Sequence, residues 1–337
     1  MADPQAYFLN RPSRDRLASY DSRADLLHPE ENAKVQHYAC TETQYLGFSI
    51  PEADIHALNY IWHHPKMQTV MGGTLIFQGF KPMTLAAELI DMRQYMSDAS
   101  LANDLHDYTL DNGYRARVLE PLKRFRVSYT DAQRNNAFDV ELEAVMPLAM
   151  WSTGRHFEQA CKTKGELLLR GKRYQFNGYT IRDRSWGEAR MEDQARIPGT
   201  TWMTGTFSEH FAFNCNAIDH PDGNPLWKDS FRITGDDALL GGWVWANGKI
   251  SPIVKARKVI PRDRRTLFPT QVELAITTVD GGEYELQGKV KAACPFNPWM
   301  NCYTPICLVE WSCKGQVGWG EAQDIQWNDF VTEYARS

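Results

Sequence analysis

No stretch of this sequence approaches the roughly 18 consecutive apolar residues that a membrane-spanning helix requires. The first residues, Met1-Ala2-Asp3-Pro4-Gln5-Ala6, also lack the basic and apolar segments of a secretory signal peptide. We therefore expect a cytoplasmic protein without a membrane-spanning helix.

An excess of basic charge is also missing. The chain has 37 Lys and Arg residues against 42 Asp and Glu residues, which gives a formal net charge of −5. The charges are mixed along the chain, and no basic stripe of the kind that binds nucleic acid is present. The densest run, Arg262-Asp263-Arg264-Arg265, is interrupted by an Asp, and we interpret it as a solvated turn. No nucleic-acid partner is expected.

Several enzyme motifs are absent as well. The sequence has no P-loop and no G-x-G-x-x-G, and it has no Gly-x-Ser-x-Gly or His-Glu-x-x-His. Four of the seven cysteines cluster late, without the paired C-x-x-C spacing of a metal knuckle: Cys294, Cys302, Cys307 and Cys313. Free thiols in a reducing compartment are the expectation, with a zinc site as the weaker alternative. Neither a metal nor a cofactor is expected.

What the sequence does contain is a long series of short strand-like runs. Tyr45–Ile50, Ile55–His63 and Gly73–Gln78 follow one another, and turn residues recur every 8–12 positions. Apolar and acidic residues alternate between Phe138 and Ala144, as in a strand with one wet face. This spacing is typical of sandwiches and barrels, whereas almost nothing indicates βαβ units. The pattern predicts an all-β protein.

One segment departs from this pattern. Leu85, Leu89, Ile90 and Met96 recur near helical spacing, so that Thr84–Met96 is predicted to form a helix, as a lid or plug of a barrel. The 337 residues favour two domains, because single cores stop growing near this length. Pro147–Gly154 is the predicted seam. It separates an N-terminal barrel with an arm (residues 1–152) from a C-terminal barrel (153–337).

The most informative motifs are His156-Phe157-Glu158-Gln159 and, about two dozen residues later, Arg182-Asp183-Arg184-Ser185-Trp186-Gly187. Glycines at short, even spacing between them indicate strands joined by turns. A hairpin of this kind brings the His end and the Asp end side by side. Alternation along the second strand places Asp183 and Ser185 on one face and the two arginines on the other.

These motifs, with the intervening glycines Gly165, Gly171 and Gly178, resemble the central signature of the carotenoid hydratase (hydroxyneurosporene synthase) superfamily, and especially its uncharacterised bacterial branch. The runs Glu42–Phe48 and Gly318–Glu321 are also similar to that branch. The resemblance implies two lipocalin-like antiparallel β-barrels with a few short helices. It also implies long apolar ligands of isoprenoid or polyketide type.

In the superfamily pattern, a His on the first motif and an Asp on the second form the proton-handling pair. His156 and Asp183 occupy those positions here. The hydratases carry one aromatic residue two positions after the His and another two positions before the Asp. This chain has Glu158 and Ile181 there.

Such a set of residues suits proton chemistry on a double bond. A carboxylic acid in an apolar pocket keeps its proton, because desolvation raises its pKa, and it can then protonate carbon. Asp183 is the candidate acid, and His156 could relay the proton or activate water. Trp186 offers a π face to a carbocation, worth about 1–2 kcal/mol if desolvated. Glu158 as a base would favour dehydration or isomerisation.

A purely structural interpretation stays open beside this one. Arg182 and Asp183, with Arg190 nearby, could form a buried ion-pair network that joins two strands. Trp186 could fill the base of a barrel. Ser185 could shape a turn.

Three further residues are candidate ligand contacts. Trp62 adjoins the consecutive histidines His63 and His64, which point to opposite faces, so at most one of them can enter a pocket. His210 is predicted to begin a strand, and the sequence leaves open which face it occupies. Together with Trp186 and Ser185, these residues are the predicted substrate-binding set.

The sequence therefore predicts a cofactor-independent lyase or isomerase (a hydratase, dehydratase or double-bond isomerase). Its substrate would be an apolar isoprenoid-, steroid- or polyketide-like small molecule, which peripheral contact with a membrane could supply. A non-catalytic carrier of a hydrophobic ligand and a cyclase that acts by shape alone are the alternatives.

Overall fold

A computed structural model describes residues 13–189, 198–220, 238–298 and 301–336 of the chain. By internal contacts the chain divides into two compact units. The N-terminal unit comprises Ala18–Gln78 and Leu85–Arg190. The C-terminal unit comprises Gly79–Thr84 and Met191–Ser337, together with Met1–Leu17.

The N-terminal unit contains one twelve-stranded antiparallel sheet, with the order β5-β4-β3-β1-β12-β11-β9-β8-β7-β6; β2 pairs with β3, and β10 pairs with β11. Its strands are β1 (Cys40–Tyr45), β2 (Phe48–Ile50), β3 (Ile55–His64), β4 (Thr69–Gln78), β5 (Leu89–Ser97), β6 (Asp107–Thr109), β7 (Arg115–Glu120), β8 (Arg124–Asp131), β9 (Asn136–Ala144), β10 (Ala149–Met150), β11 (His156–Leu169) and β12 (Lys172–Ala189).

Burial differs between two parts of this sheet. In β9, Phe138, Val140 and Leu142 are buried in the core, and the residues between them are partly exposed. The predicted alternation between Phe138 and Ala144 is therefore confirmed. In β3, nine of ten residues are buried, on both faces. Strands buried on both faces usually have nearly continuous apolar sequences, but β3 also buries His56, Asn59 and His63.

The helix predicted over Thr84–Met96 is wrong. A 3₁₀ turn covers Thr84–Ala86, and β5 then pairs with β4. A bulge inserts one extra residue into β5, so that Leu89 and Met96 both become buried although they are seven positions apart. In a regular strand an odd separation places residues on opposite faces. The bulge therefore reproduced the i, i+7 spacing of a helix.

The C-terminal unit contains a closed barrel of eight antiparallel strands, because the first of them, β13, pairs with the last, β21. A short strand, β19, pairs with β21 beside the barrel. The strands are β13 (Thr200–Ser208), β14 (Phe211–Ile218), β15 (Leu239–Ala246), β16 (Lys249–Val259), β17 (Gln271–Thr278), β18 (Glu283–Pro295), β19 (Cys302–Tyr303), β20 (Pro305–Cys313) and β21 (Gln316–Trp327).

Helical elements are short. They are α1 (Pro29–Lys34), α2 (Asn328–Arg336) and 3₁₀ turns at Ser22–Asp25, Pro51–Ala53, Thr84–Ala86, Asp98–Leu101 and Ala132–Arg134. Among the described residues, no helix has the length and apolar character needed to cross a membrane. The prediction of an all-β, lipocalin-like fold with a few short helices is confirmed.

The division into units differs from the predicted boundary at residue 152. Strand β11 pairs with β9, and β12 pairs with β1, so the hairpin His156–Ala189 belongs to the N-terminal unit. The predicted seam Pro147–Gly154 includes β10, which pairs with β11 inside the same sheet. Local sequence shows where a turn lies, but only strand pairing shows which sheet a hairpin joins.

A buried charge cluster holds part of the C-terminal unit together. Arg262 lies at its centre and bonds two carboxylates, with Nη1 2.6 Å from Asp219 Oδ2 and Nε 2.7 Å from Asp324 Oδ2. Lys258 is fully buried and lies 3.0 Å from Asp219. The interpretation of residues 262–265 as a solvated turn therefore fails for Arg262, although Arg264 is exposed as expected.

Burial of the thiols gives a first testable prediction. All seven cysteines are free and buried, and burial raises the pKa of Cys161 and of Cys215 to about 12. The thiolate is the reactive form, and a raised pKa keeps the thiol protonated at neutral pH. On average, less than about one thiol per chain should therefore react promptly with Ellman's reagent. All seven should react after denaturation in urea. Several fast-reacting thiols in the native protein would contradict this packing.

Candidate functional site

The two motifs lie side by side on the β11–β12 hairpin. His156 is directly opposite Ser185, and Glu158 is directly opposite Asp183. Directly paired residues of an antiparallel sheet share a face, so these four side chains lie on one face. His156 and Asp183 are diagonal neighbours, at a typical separation of about 7–8 Å. The predicted juxtaposition of the His and Asp ends is observed.

Strands β1 and β3 extend this face on the other side of β12. Tyr45 is opposite Asp183, and Thr43 is opposite Ser185. Trp62 on β3 is opposite Thr43. We define the acid face as this surface of β3, β1, β12 and β11. It is largely buried: Asp183 is 8% exposed.

Glu158 organises one end of the acid face. Its Oε1 lies 2.8 Å from His156 Nε2, and its Oε2 accepts a hydrogen bond of 2.8 Å from Trp151 Nε1. The Glu158 side chain is fully buried. When Glu158 is ionised, His156 donates from Nε2, because a carboxylate can only accept. The carboxylate therefore sets the orientation and tautomer of His156.

Other contacts complete the acid face. Ser185 Oγ and Thr43 Oγ1 form a hydrogen bond of 2.8 Å between β12 and β1. Ile181 and Ala160 are paired in the row next to Asp183 and Glu158, and both are buried. Asp183 therefore has an apolar row on one side and a hydroxyl pair on the other. Within the described ranges, no three His, Cys, Asp or Glu side chains are grouped as a metal site would require.

The arginines of the second motif lie on the opposite face, as alternation predicted. Arg182 Nη1 lies 2.7 Å from Asp25 Oδ1, and its Nε donates to Gln159 Oε1 at 2.7 Å. Its guanidinium also covers the Phe125 ring, 4.0 Å from the centroid. Arg182 is thus paired with Asp25 rather than with Asp183. Arg190 lies outside the described residues.

Arg184 anchors the segment before β1. It is paired with Glu42 and donates to the carbonyl oxygens of Ala24 and Leu26, at 3.0 Å and 2.6 Å. Burial opposes ionisation of Glu42, but the hydrogen bond from His28 and the charge of Arg184 outweigh it. Together they hold the pKa of Glu42 below its ordinary value. The structural interpretation of the motif therefore applies to its arginines.

Trp186 does not face the same space as Asp183. Its ring is stacked on His28, with centroids 3.7 Å apart and an interplanar angle of 3°. It belongs to a small apolar cluster with Phe157, Leu148 and Met150. The expected role of Trp186 as a wall beside the carbocation does not fit this placement, because adjacent strand residues point to opposite faces.

The other predicted contact residues are dispersed. Trp62 shares the acid face, whereas His63 points to the opposite side, and its Nε2 lies 3.1 Å from Asp98. His210 belongs to the C-terminal unit, where it is exposed in the turn between β13 and β14. The strand predicted to begin at His210 begins at Phe211, so His210 does not lie on a barrel face.

Two open clefts are unrelated to the predicted site residues. One, of about 620 Å³, lies on the C-terminal unit, and the other, of about 570 Å³, on the N-terminal unit. The second is lined by charged pairs such as Glu143 and Lys162 on a strand surface, and no His lines it. The chemistry of the acid face makes it the better candidate for a functional site.

Sequence reasoning missed Tyr45, Thr43 and Trp151. Tyr45 and Thr43 lie in the Glu42–Phe48 run that resembles the superfamily branch, and this resemblance was the available signal. Trp151 lies in the turn before β11, and nothing in its local pattern indicated a bond to Glu158.

Comparison with known proteins gives a family and a fold. A family model described as a domain of unknown function (DUF7064) matches residues 24–331. No curated protein matches the chain. Among solved structures, CghA has a TM-score of 0.57 at 10% identity, with 95% of this chain and 98% of that chain covered. Kievitone hydratase from Nectria haematococca has a TM-score of 0.50 at 12% identity, with 94% and 97% covered. At these identities the likeness shows the fold.

Proposed function

The chain belongs to the DUF7064 family, and we propose that it is a cofactor-independent lyase or isomerase acting at a double bond of an apolar small molecule. The observation that carries this proposal is the acid face, where Asp183 lies between Glu158 and Tyr45 with His156 as a diagonal neighbour. The fold that it shares with a hydratase supports the same class of reaction.

In the proposed hydration, Asp183 acts as the general acid. Its carboxyl proton is transferred to one alkene carbon, and the electron pair of the double bond forms the new C–H bond. A water molecule attacks the resulting carbocation while His156 accepts a proton from it. Return of that proton to Asp183 restores the site, and the sum is one alkene plus one water giving one alcohol.

Glu158 has a positioning role in this scheme. Both of its oxygen atoms accept hydrogen bonds, from His156 and Trp151, so it holds the imidazole in place. The same arrangement serves the reverse reaction, because the groups that add water also remove it. Loss of a proton from the carbocation at a different carbon would give double-bond isomerisation.

Isotope labelling tests the proposal. The purified protein is incubated in H₂¹⁸O and, separately, in D₂O, with whatever small molecule copurifies and with kievitone, the compound named by the neighbouring hydratase. A hydratase should place ¹⁸O in the product, and an isomerase should place deuterium on carbon. Tight binding with recovery of every compound unlabelled would contradict catalysis and indicate a carrier.

A further inference from the structure

The acid face carries a contiguous aromatic surface beside Asp183. Tyr45 is opposite both Asp183 and Tyr60, and Trp62 follows two positions after Tyr60 on β3. The Tyr45 and Tyr60 ring centroids are 6.0 Å apart, and those of Tyr60 and Trp62 are 3.9 Å apart. We call Tyr45, Tyr60 and Trp62 the aromatic wall.

The wall is packed into a defined position. Tyr45 is 1% exposed, whereas Tyr60 and Trp62 each retain 8% exposure. Gly47 makes room for Tyr45: a Cβ atom at residue 47 would lie 2.0 Å from the Tyr45 hydroxyl oxygen and 2.4 Å from its Cζ. Real Cβ atoms do not approach other atoms so closely, so any larger residue at position 47 would displace the Tyr45 ring.

Aromatic faces discriminate between apolar ligands. A planar unsaturated ring system gains offset-stacked and edge-to-face contacts with such a wall, in addition to the area that it buries. A flexible acyclic chain gains the buried area alone, and it loses more conformational freedom on binding. Asp183 and the aromatic wall also lie side by side, because Tyr45 is opposite Asp183. One substrate could therefore place a ring on the wall and a double bond at Asp183.

From this juxtaposition we infer that the substrate carries an aromatic or conjugated ring system next to the reacting double bond. Tyr45, Tyr60 and Trp62 are then specificity-determining residues, and Gly47 is the positioning residue for Tyr45. This inference rests on the proposed function, and it selects planar polyketide-like or phenolic compounds over acyclic isoprenoids.

Binding of two matched probes tests the inference. Chalcone is planar and conjugated, and farnesol is an acyclic isoprenoid with the same numbers of carbon and oxygen atoms. Equilibrium dialysis with mass-spectrometric detection gives the Kd of each. We expect chalcone to bind about ten-fold more tightly to the native protein, the gain that two good aromatic contacts provide. Equal affinities, tighter binding of farnesol, or no binding of either probe would overturn the inference.

Variants locate the preference. Tyr60→Leu and Trp62→Leu should each reduce it several-fold by weakening chalcone binding alone. Gly47→Ala should also reduce the chalcone preference, although all three aromatic residues are still present. This variant therefore tests the position of the Tyr45 ring rather than the presence of the rings. Tyr38→Leu is the control, because Tyr38 is 69% exposed and lies off the wall. Circular dichroism checks folding, and a folded Trp62→Leu protein with an undiminished preference would contradict the assignment.

The inference and the proposed function fail separately. Dialysis requires no turnover, so a chalcone preference without isotope incorporation would refute catalysis and leave the substrate class standing. Isotope incorporation without a chalcone preference would refute the inferred substrate class and leave the catalytic proposal standing.

Discussion

Replacing Asp183 by asparagine is expected to lower the turnover number about 10²- to 10⁴-fold, the usual contribution of a general acid. Asparagine has nearly the same shape as aspartate, but it cannot donate the proton that the alkene carbon receives. Binding of the substrate should change little, because the apolar row of Ile181 and Ala160 stays in place. Rates of ¹⁸O or deuterium incorporation measure the effect, and equilibrium dialysis measures the binding.

A charge-matched control lies on the same strand. Glu188 is exposed on β12, on the same hairpin as Asp183. Glu188→Gln should therefore keep the rate of the native protein. If Asp183→Asn retains full turnover, the proton comes from another group. If it loses substrate binding as well as turnover while remaining folded, Asp183 holds the substrate rather than acting as its acid.

Replacing Arg262 by methionine is expected to destabilise the C-terminal unit by about 3–5 kcal/mol, as is typical when one partner of a buried ion pair is removed. Asp219 and Asp324 would then be buried with only Lys258 as a charged partner among the contacts described. Burial favours neutral carboxyls, but Arg262 and Lys258 hold the pKa of Asp219 below its ordinary value. Hydrogen exchange of β13, β16 and β21 measures the loss locally, and urea denaturation measures the overall change.

The sign of the pH dependence follows from the same contacts. Because the pKa of Asp219 is depressed in the folded state, its contribution is present above the unfolded pKa near 4 and is lost as pH falls through the folded value. The Arg262→Met protein should therefore lose less stability on acidification than the native protein does. Arg264→Met is the control, since Arg264 is exposed two positions away. Equal stability of the Arg262 and Arg264 variants would show that the cluster contributes nothing.

The strands themselves were largely predictable. Where one face of a strand is exposed to solvent, as in β9, the apolar residues alternate with acidic ones. The alternation then identifies both the strand and its buried face. The failure at β5 has a specific cause. A bulge shifts the phase of a strand by one residue, and the resulting spacing of Leu89 and Met96 matches that of a helix.

The candidate site was predictable in part. Alternation along β12 placed Asp183 and Ser185 on one face, and the turns expected between the motifs brought the His and Asp ends together. The structure adds that His156 and Glu158 share this face, and that Gly165 and Gly178 lie inside β11 and β12 rather than in turns. Trp186 was assigned to that face although it immediately follows Ser185, and strict alternation already placed it on the other. Tyr45 and Tyr60 could not be connected to Asp183, because the pairing of β1 with β12 spans about 140 residues of chain.

The sequence alone therefore determined most of the strand content, the alternation of faces and the meeting of the His and Asp ends, since each depends on local pattern. Only the tertiary structure decided which strands lie next to that hairpin and which carboxylates meet Arg262. Hydrogen bonding between strands is nearly the same for any sequence, so the choice of partner depends on side-chain packing over the whole sheet. That packing places an aromatic wall beside an acid from a distant part of the chain.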